Sequence, residues 1–332
     1  MFRILSIDGG GIRGVIPAMV LTAIEEKAGR PIADLFDLIA GTSTGGIIAV
    51  GLAVRDDRGK PRFSAADMLT LYRARGREIF ERSFWDGIVS VGGALDERYR
   101  HANLERILKE YLGDATLADC QPPIMVTSYD IERRQPYFFK SRKAGEEPDR
   151  NHHLRDVARA TSAAPTYFEP ARVESFDDLR SERILVDGGV FANNPAMCAY
   201  VEAGAHGAAP DDVLLVSLGT GIATRKIPYD DARGWGALQW ARPIIGVMMD
   251  GVADAVDYQL SQLLPGRDAG DRQRYFRFDK ELVLALDDMD AANAGNIKSL
   301  MDEARSIIET QGSELDRLVR LLLPTPAPDA VV

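Results

Sequence analysis

The stretch Ile39-Ala40-Gly41-Thr42-Ser43-Thr44-Gly45-Gly46 decides how this chain is read, because it holds a hydroxyl between glycines where a strand turns into a helix. Before it, Phe36 to Ala40 reads as a short buried strand; after it, Ile47 to Val54 has the small, apolar composition of a buried helix. Gly-x-Ser-x-Gly at such a junction is the nucleophile-elbow pattern. The turn is so tight that only glycine fits beside the serine. It lifts the hydroxyl to the rim of a sheet, over a helix N-terminus that favours negative charge. In a chain with 30 glycines the pattern carries little weight alone. Ser43 needs a second and a third element beside it.

Upstream, Phe2 to Ile7 is a β-branched and aromatic run that predicts a central parallel strand. It ends in Asp8-Gly9-Gly10-Gly11-Ile12-Arg13-Gly14, and Ile16 to Lys27 follows with helical apolar spacing, closed by Gly29. A glycine loop between a strand and a helix N-terminus is a ready anion site built of backbone N–H groups. Gly9, Gly11 and Gly14 also match G-x-G-x-x-G, the dinucleotide fingerprint, so a nucleotide-binding module using the Gly9–Gly14 loop is the alternative reading. That reading wants a carboxylate at the end of the next strand. The next strand instead ends in Gly41-Thr42-Ser43-Thr44-Gly45, and Asp37 opens it at the far edge. An oxyanion hole fits better: neighbouring parallel strands end on one edge, so amides of Gly9, Gly10 and Gly11 can face Ser43.

Downstream, helices are expected over Ala65 to Phe80 and Asn103 to Leu112, with an apolar, glycine-punctuated run from Phe80 to Gly93 between them. Strands are expected over Ile124 to Ile131 and Gln135 to Ser141, a solvated loop over Lys140 to Arg150, and a short helix over Leu154 to Ala164. Arg183 to Val186 reads as a strand running into Asp187-Gly188-Gly189, then a helix over Ala196 to Ala205 and a strand over Val213 to Leu218. Trp235 to Met249 is apolar with few charges, which suits core, an apolar lid or a face for lipid. Gln273 to Phe278 predicts a last strand and Ala291 to Leu323 one or two amphipathic helices. With neither internal repeat nor linker, residues 1–323 are expected as a single domain and 324–332 as a disordered tail.

A serine nucleophile needs a base. The four histidines are His101, His152, His153 and His206. A triad of Ser43, Asp187 and His206 can be written in hydrolase order, but His206 ends a helix that leads away from the sheet edge, roughly 15 to 20 Å off at 1.5 Å per residue; His152 and His153 are expected at the surface. Asp187 sits at a strand end before two glycines that let other backbone approach. A carboxylate acting directly on Ser43 is the economical reading, with Arg13, Gly14, Gly41, Gly45, Gly188 and Gly189 in support.

Composition sets the outer bounds. The 332 residues are 45% hydrophobic and 27% charged, ordinary for a globular chain, and the net charge of −10 argues against nucleic-acid binding and against bulk adsorption to anionic lipid. Cys120 and Cys198 form no disulfide framework, and no Cys/His group has zinc spacing. Neither metal nor cofactor is expected. The N-terminus runs straight into a strand and no long apolar run appears, so the expected location is cytoplasmic.

Taken together, Asp-Gly-Gly-Gly-Ile-Arg-Gly at 8–14, Gly-Thr-Ser-Thr-Gly at 41–45 and Asp-Gly-Gly at 187–189 resemble the patatin-like phospholipases, bacterial members included. Phe191-Ala192-Asn193-Asn194-Pro195 and Ser217-Leu218-Gly219-Thr220-Gly221 also match, and the resemblance runs from about Phe2 to Gly251. It implies an α/β fold, a three-layer α/β/α sandwich with a mostly parallel central sheet. It further implies a Ser43–Asp187 dyad, an oxyanion hole at Gly9, Gly10 and Gly11, no calcium requirement, and lipid acyl hydrolysis on a phospholipid or lysophospholipid at a membrane surface. Arg13 matches the family's basic loop position, to sense phosphate or hold the loop. Some relatives of similar length look like antiphage effectors switched on by a cyclic dinucleotide, which would make such a molecule an activator here; a housekeeping lipid hydrolase is the plain alternative.

Overall fold

Phe2–Ile7 (β1) sends Leu5 and Ile7 into one apolar cluster and Ile4 into another, so the strand is covered on both faces, as its unbroken apolar run requires. The computed structural model describes residues 1–80, 96–241 and 243–323. The expected apolar run over 81–93 and the tail 324–332 lie outside the described residues.

A 3-10 turn at Gly11–Gly14 leads from β1 into Val15–Ala28 (α1), which Gly29 closes at φ +62°. Leu38–Thr42 (β2), Thr44–Ala53 (α2), Ala65–Phe80 (α3) and Asp96–Leu112 (α4) follow. Next come Ile124–Asp130 (β3), Gln135–Lys140 (β4), Ser141–Glu146 (α5), Leu154–Thr161 (α6), Ala171–Glu174 (β5) and Glu182–Asp187 (β6). The short Gly189–Ala192 (α7) and Ala196–Ala205 (α8) precede Val213–Leu218 (β7). Tyr229–Ala232 (α9), Ala237–Trp240 (α10), Pro243–Leu263 (α11), Tyr275–Phe278 (β8), Ala294–Thr310 (α12) and Gly312–Leu322 (α13) complete the order.

Among the described residues these strands form one eight-stranded sheet with β3, β2, β1, β7 and β8 parallel in that order. One face carries the larger apolar cluster, with α1, α2, α3, α6, α12 and α13; the other carries the smaller, with α8 and α11. The result is the three-layer α/β/α arrangement.

The antiparallel strands create the site. β4 pairs with β3 from Met125 to Asp130 and fills one edge of it. β2 (Ile39↔Ile124 to Thr42↔Thr127) and β6 (Ser128↔Asp187 to Asp130↔Leu185) therefore share the other edge in succession. β2 runs with β3 and β6 against it, so their C-terminal ends meet. Where a continued β2 would set Ser43 opposite Ser128, the chain turns into α2 and Asp187 takes the place.

Several expectations need correcting. Lys140 to Arg150 is not an open loop: Arg142–Glu146 and Lys143–Glu147 pairs at i,i+4 spacing support α5. The helix after Leu154 stops at Thr161, and β5 was not anticipated because its alternating, half-exposed Ala-Arg-Val-Glu carries a weak pattern. Trp235 to Met249 is not core, since Met249 alone in that stretch is buried among the described residues. No described helix is long and apolar enough to cross a membrane.

Candidate functional site

Ser43 has φ 54° and ψ −122°, a sharp left-handed turn that no helix or strand uses. Holding a non-glycine residue there costs on the order of 1–3 kcal/mol. The surroundings enforce it. A Cβ on Gly41 would stand 2.2 Å from Gly45 O, and one on Gly45 would stand 2.1 Å from Ile7 O, so both glycines of Gly-x-Ser-x-Gly are there for want of room. The Ser43 N–H donates to Thr161 Oγ1 at 2.8 Å, and the hydroxyl makes no cap bond to α2. That hydroxyl is left for other partners at a position only 7% exposed.

Buried hydroxyls fix the two strand ends around it. Thr161 Oγ1 donates to Thr127 O at 2.7 Å. Thr42 Oγ1 donates to Ala192 O at 2.6 Å and so accepts from Thr127 Oγ1, also at 2.6 Å. Ser128 Oγ donates to Val186 O at 2.6 Å, beside Asp187. On the other flank Tyr72 OH donates to Thr44 O at 3.0 Å and contacts its hydroxyl, tying α3 to the start of α2. Sequence reading missed Thr127, Ser128 and Thr161, because strand and helix threonines look alike until packing gives them partners.

Asp187 is 2% exposed. Burial pushes its carboxyl up to about 7, while the neighbouring Ser43 hydroxyl and the Gly189 N–H pull it down. Oδ1 accepts from Gly189 N at 2.7 Å, and the buried Oδ2 makes no hydrogen bond of regular geometry. Gly188 is excluded from bearing a side chain by Thr127, whose Oγ1 would lie 2.0 Å from its Cβ, and a Cβ on Gly189 would meet Met249 Cε at 2.9 Å.

The glycine loop lies against the same serine: a Cβ on Gly9 would stand 3.2 Å from Ser43 Cβ. Its amides differ, however. Gly9 N–H donates to Asn193 O at 3.0 Å, so the expectation that all three glycines supply free donors is corrected. Among the described residues the N–H groups of Gly10 and Gly11 have no protein acceptor. Thr220 Oγ1 donates to Gly9 O at 2.8 Å, and Ile12 N–H to Met289 O at 2.9 Å. Arg13 is buried and donates to Gly10 O (3.4 Å) and Gly221 O (3.2 Å), bonds that link the two loops. Gly14 is closed in by Thr44 Oγ1, 2.2 Å from where a Cβ would be.

Below the loop Asp8 Oδ2 pairs with Arg277 at 2.7 Å; Arg277 also bonds Asp279 at 2.6 Å and Ser217 Oγ at 2.7 Å. Burial raises the Asp8 carboxyl to about 7 against the pull of Arg277. Nothing in the sequence spacing joins residues 8 and 277.

No imidazole comes between Ser43 and Asp187 among the described side chains. His152 is fully buried, contrary to its expected surface position, between Tyr137 OH (3.0 Å) and Glu174 O (2.8 Å), and burial lowers it to about 4. His153 stacks edge-on against Phe176. His206 packs on Phe2, at the opposite end of β1 from Asp8. Ser43 and Gly11 line a small, mostly apolar pocket with Phe80, Ala164, Tyr167, Phe168 and Met289, to which Ser162 and Asp290 add polar groups. The dinucleotide reading loses its carboxylate, since Asp37 is bound to Arg3 at 2.9 Å at the start of β2.

A patatin-like phospholipase family model matches residues 5–200. Patatin-like protein 2 of Arabidopsis thaliana is 33% identical, over 95% of this chain and 83% of its own length. Patatin-like protein 4 of the same plant is 30% identical, over 90% and 82%. Among solved structures, VipD from Legionella pneumophila aligns over 92% of this chain and 67% of its own at a TM-score of 0.36 and 12% identity. The glycine loop, the serine turn and the Asp-Gly-Gly turn all fall within the matched segment, and the chain belongs to the patatin-like phospholipase family.

Proposed function

We propose that the protein is a serine lipid acyl hydrolase that cleaves phospholipid or lysophospholipid esters through a Ser43–Asp187 dyad. The observation that carries this reading is the buried Asp187 carboxyl beside the Ser43 hydroxyl, with Oδ2 unpartnered and Oδ1 held by Gly189 N–H. A base titrating near neutrality is matched to proton transfer at ordinary pH.

In the proposed cycle Ser43 Oγ attacks the ester carbonyl while Asp187 takes the hydroxyl proton. The carbonyl oxygen gains the negative charge and is met by the amides of Gly10 and Gly11, with the N-terminus of α2 behind it. Collapse breaks the ester C–O bond, and Asp187 returns the proton to the departing alcohol oxygen. Water, deprotonated by Asp187, then attacks the acyl-enzyme; the bond from the acyl carbon to Ser43 Oγ breaks, Asp187 returns the proton to Oγ, and the fatty acid leaves. The apolar pocket over Ser43 suits an acyl chain. Calcium has no part in these steps.

Fatty-acid release from mixed phospholipids, followed by mass spectrometry, tests the reading. Ser43→Ala and Asp187→Ala should each lower turnover by a factor on the order of 10⁴–10⁶, as loss of a member of a nucleophile–base pair does elsewhere. Full activity in Ser43→Ala ends it. Running the assay with and without cyclic dinucleotides also tests the activator expectation.

A further inference from the structure

We propose that the apolar surface made by α9–α11 and the strip 282–286 is the face on which the protein settles on a phospholipid bilayer. The inference rests on the acyl-hydrolase reading and names where its substrate is met. Exposed large apolar side chains concentrate there. Leu238 is 91% exposed, Val283 73% and Leu284 64%, and Tyr229, Val247 and Met248 on the same helices are exposed as well. The loop that leads into α9 is tied to the strip: Leu282 N–H donates to Ile222 O at 3.0 Å, and Thr224 Oγ1 donates to Leu282 O at 3.0 Å.

The surface adjoins the site on two sides. Met249, on the inner side of α11, touches the backbone two residues beyond Asp187. Met289, three residues after the strip, walls the pocket over Ser43 and holds Ile12 N–H through its carbonyl. Trp235 and Trp240 meet edge to face at 5.0 Å, half-buried, the amphipathic ring type that suits a boundary between water and acyl chains. Contiguous apolar exposure next to a pocket mouth marks an interaction surface. A bilayer is the occupant that supplies both an apolar phase and the ester. Acidic side chains outnumber basic ones there, Asp230, Asp231, Asp254, Asp287 and Asp288 against Arg225, Lys226 and Arg233, and Arg225 is already paired with Asp287 at 2.9 Å. Adsorption here is driven by burial of apolar surface and not by attraction to anionic lipid.

The test uses full-length protein and vesicles of phosphatidylcholine, with or without one-third phosphatidylglycerol. Ser43→Ala should float with both kinds, and no better with the anionic vesicles than with phosphatidylcholine alone. Leu238→Ser/Val247→Ser/Leu284→Ser, made in that background, should lose at least 10-fold of the floated fraction. With Ser43 intact, the triple variant should hydrolyse a soluble short-chain ester at the wild-type rate, which certifies its fold, while vesicle hydrolysis falls at least 10-fold. Unchanged flotation of the triple variant overturns the inference. So does conversion of a wild-type dimer to a monomer with vesicle binding intact, which would assign the face to a second copy. If wild type hydrolyses neither substrate yet floats, and the triple variant does not, the acyl-hydrolase reading fails and the docking face stands.

Discussion

A carboxyl shut away from water titrates late, and Asp187 is held at about 7 because burial outweighs the donors from Ser43 and Gly189. As the proposed base it works only when ionised. Its active fraction therefore grows as pH rises: kcat/KM on a soluble ester should climb about tenfold per pH unit below 6 and level off above 8, with a midpoint near 7. A rate flat from pH 5 to 8 would contradict the assignment of the base. At this scale the sequence was informative where chemistry and local geometry coincide. Ser43, Asp187 and the glycines of both turns could be named from their order alone. The acceptor that steadies the Ser43 amide, Thr161, and the diversion of the Gly9 amide to Asn193 could not, because each depends on a partner more than 100 residues away.

Three strand ends, of β1, β7 and β8, are tied beneath the glycine loop by Arg277, which bonds Asp8, Asp279 and Ser217. Removing the cation leaves two carboxylates facing each other in a nearly dry space. Arg277→Met should lower unfolding free energy by about 3 kcal/mol, the low end for a broken buried pair, since the guanidinium is still 17% exposed. Denaturant titration measures this. Adding Asp8→Asn to Arg277→Met should recover part of the loss; an Arg277→Met protein as stable as wild type would show that the cluster holds nothing. Element by element, strands and helices with strong periodicity were legible, as in Ala196–Ala205 and Val213–Leu218. What escaped was pairing. That β6 opposes β3 while β2 follows it is a tertiary fact, and neither strand's composition contains it.

Across the whole molecule, burial is unevenly shared. All ten residues of α2 are buried, whereas α9 and α10 bury none and α11 buries Met249, Ala253 and Leu260 over 21 residues. Local opening should follow that division. In hydrogen-exchange mass spectrometry, amides of α9, α10 and the first half of α11 should exchange at least 100-fold faster than those of α2. Comparable protection of the two regions would show that the thin layer is held by more than these contacts. The apolar composition of Trp235 to Met249 was plain in the sequence, but whether it faced inward could be decided only by what the opposite sheet face had room to cover.

The meeting of β2 and β6 on one edge of β3 has a mechanical corollary. Serine-to-carboxylate spacing is set by the hydrogen-bond register of a third strand and by the 161–163 turn, so the exposed turn at 132–134 can grow or shrink without moving either group. One extra residue between Thr127 and Ser128 would instead shift the carboxylate by about 3.3 Å and turn it to the opposite side of the sheet. The tolerance of this enzyme to insertions is thereby written into seven residues, Ile124 to Asp130, which take no part in the chemistry themselves.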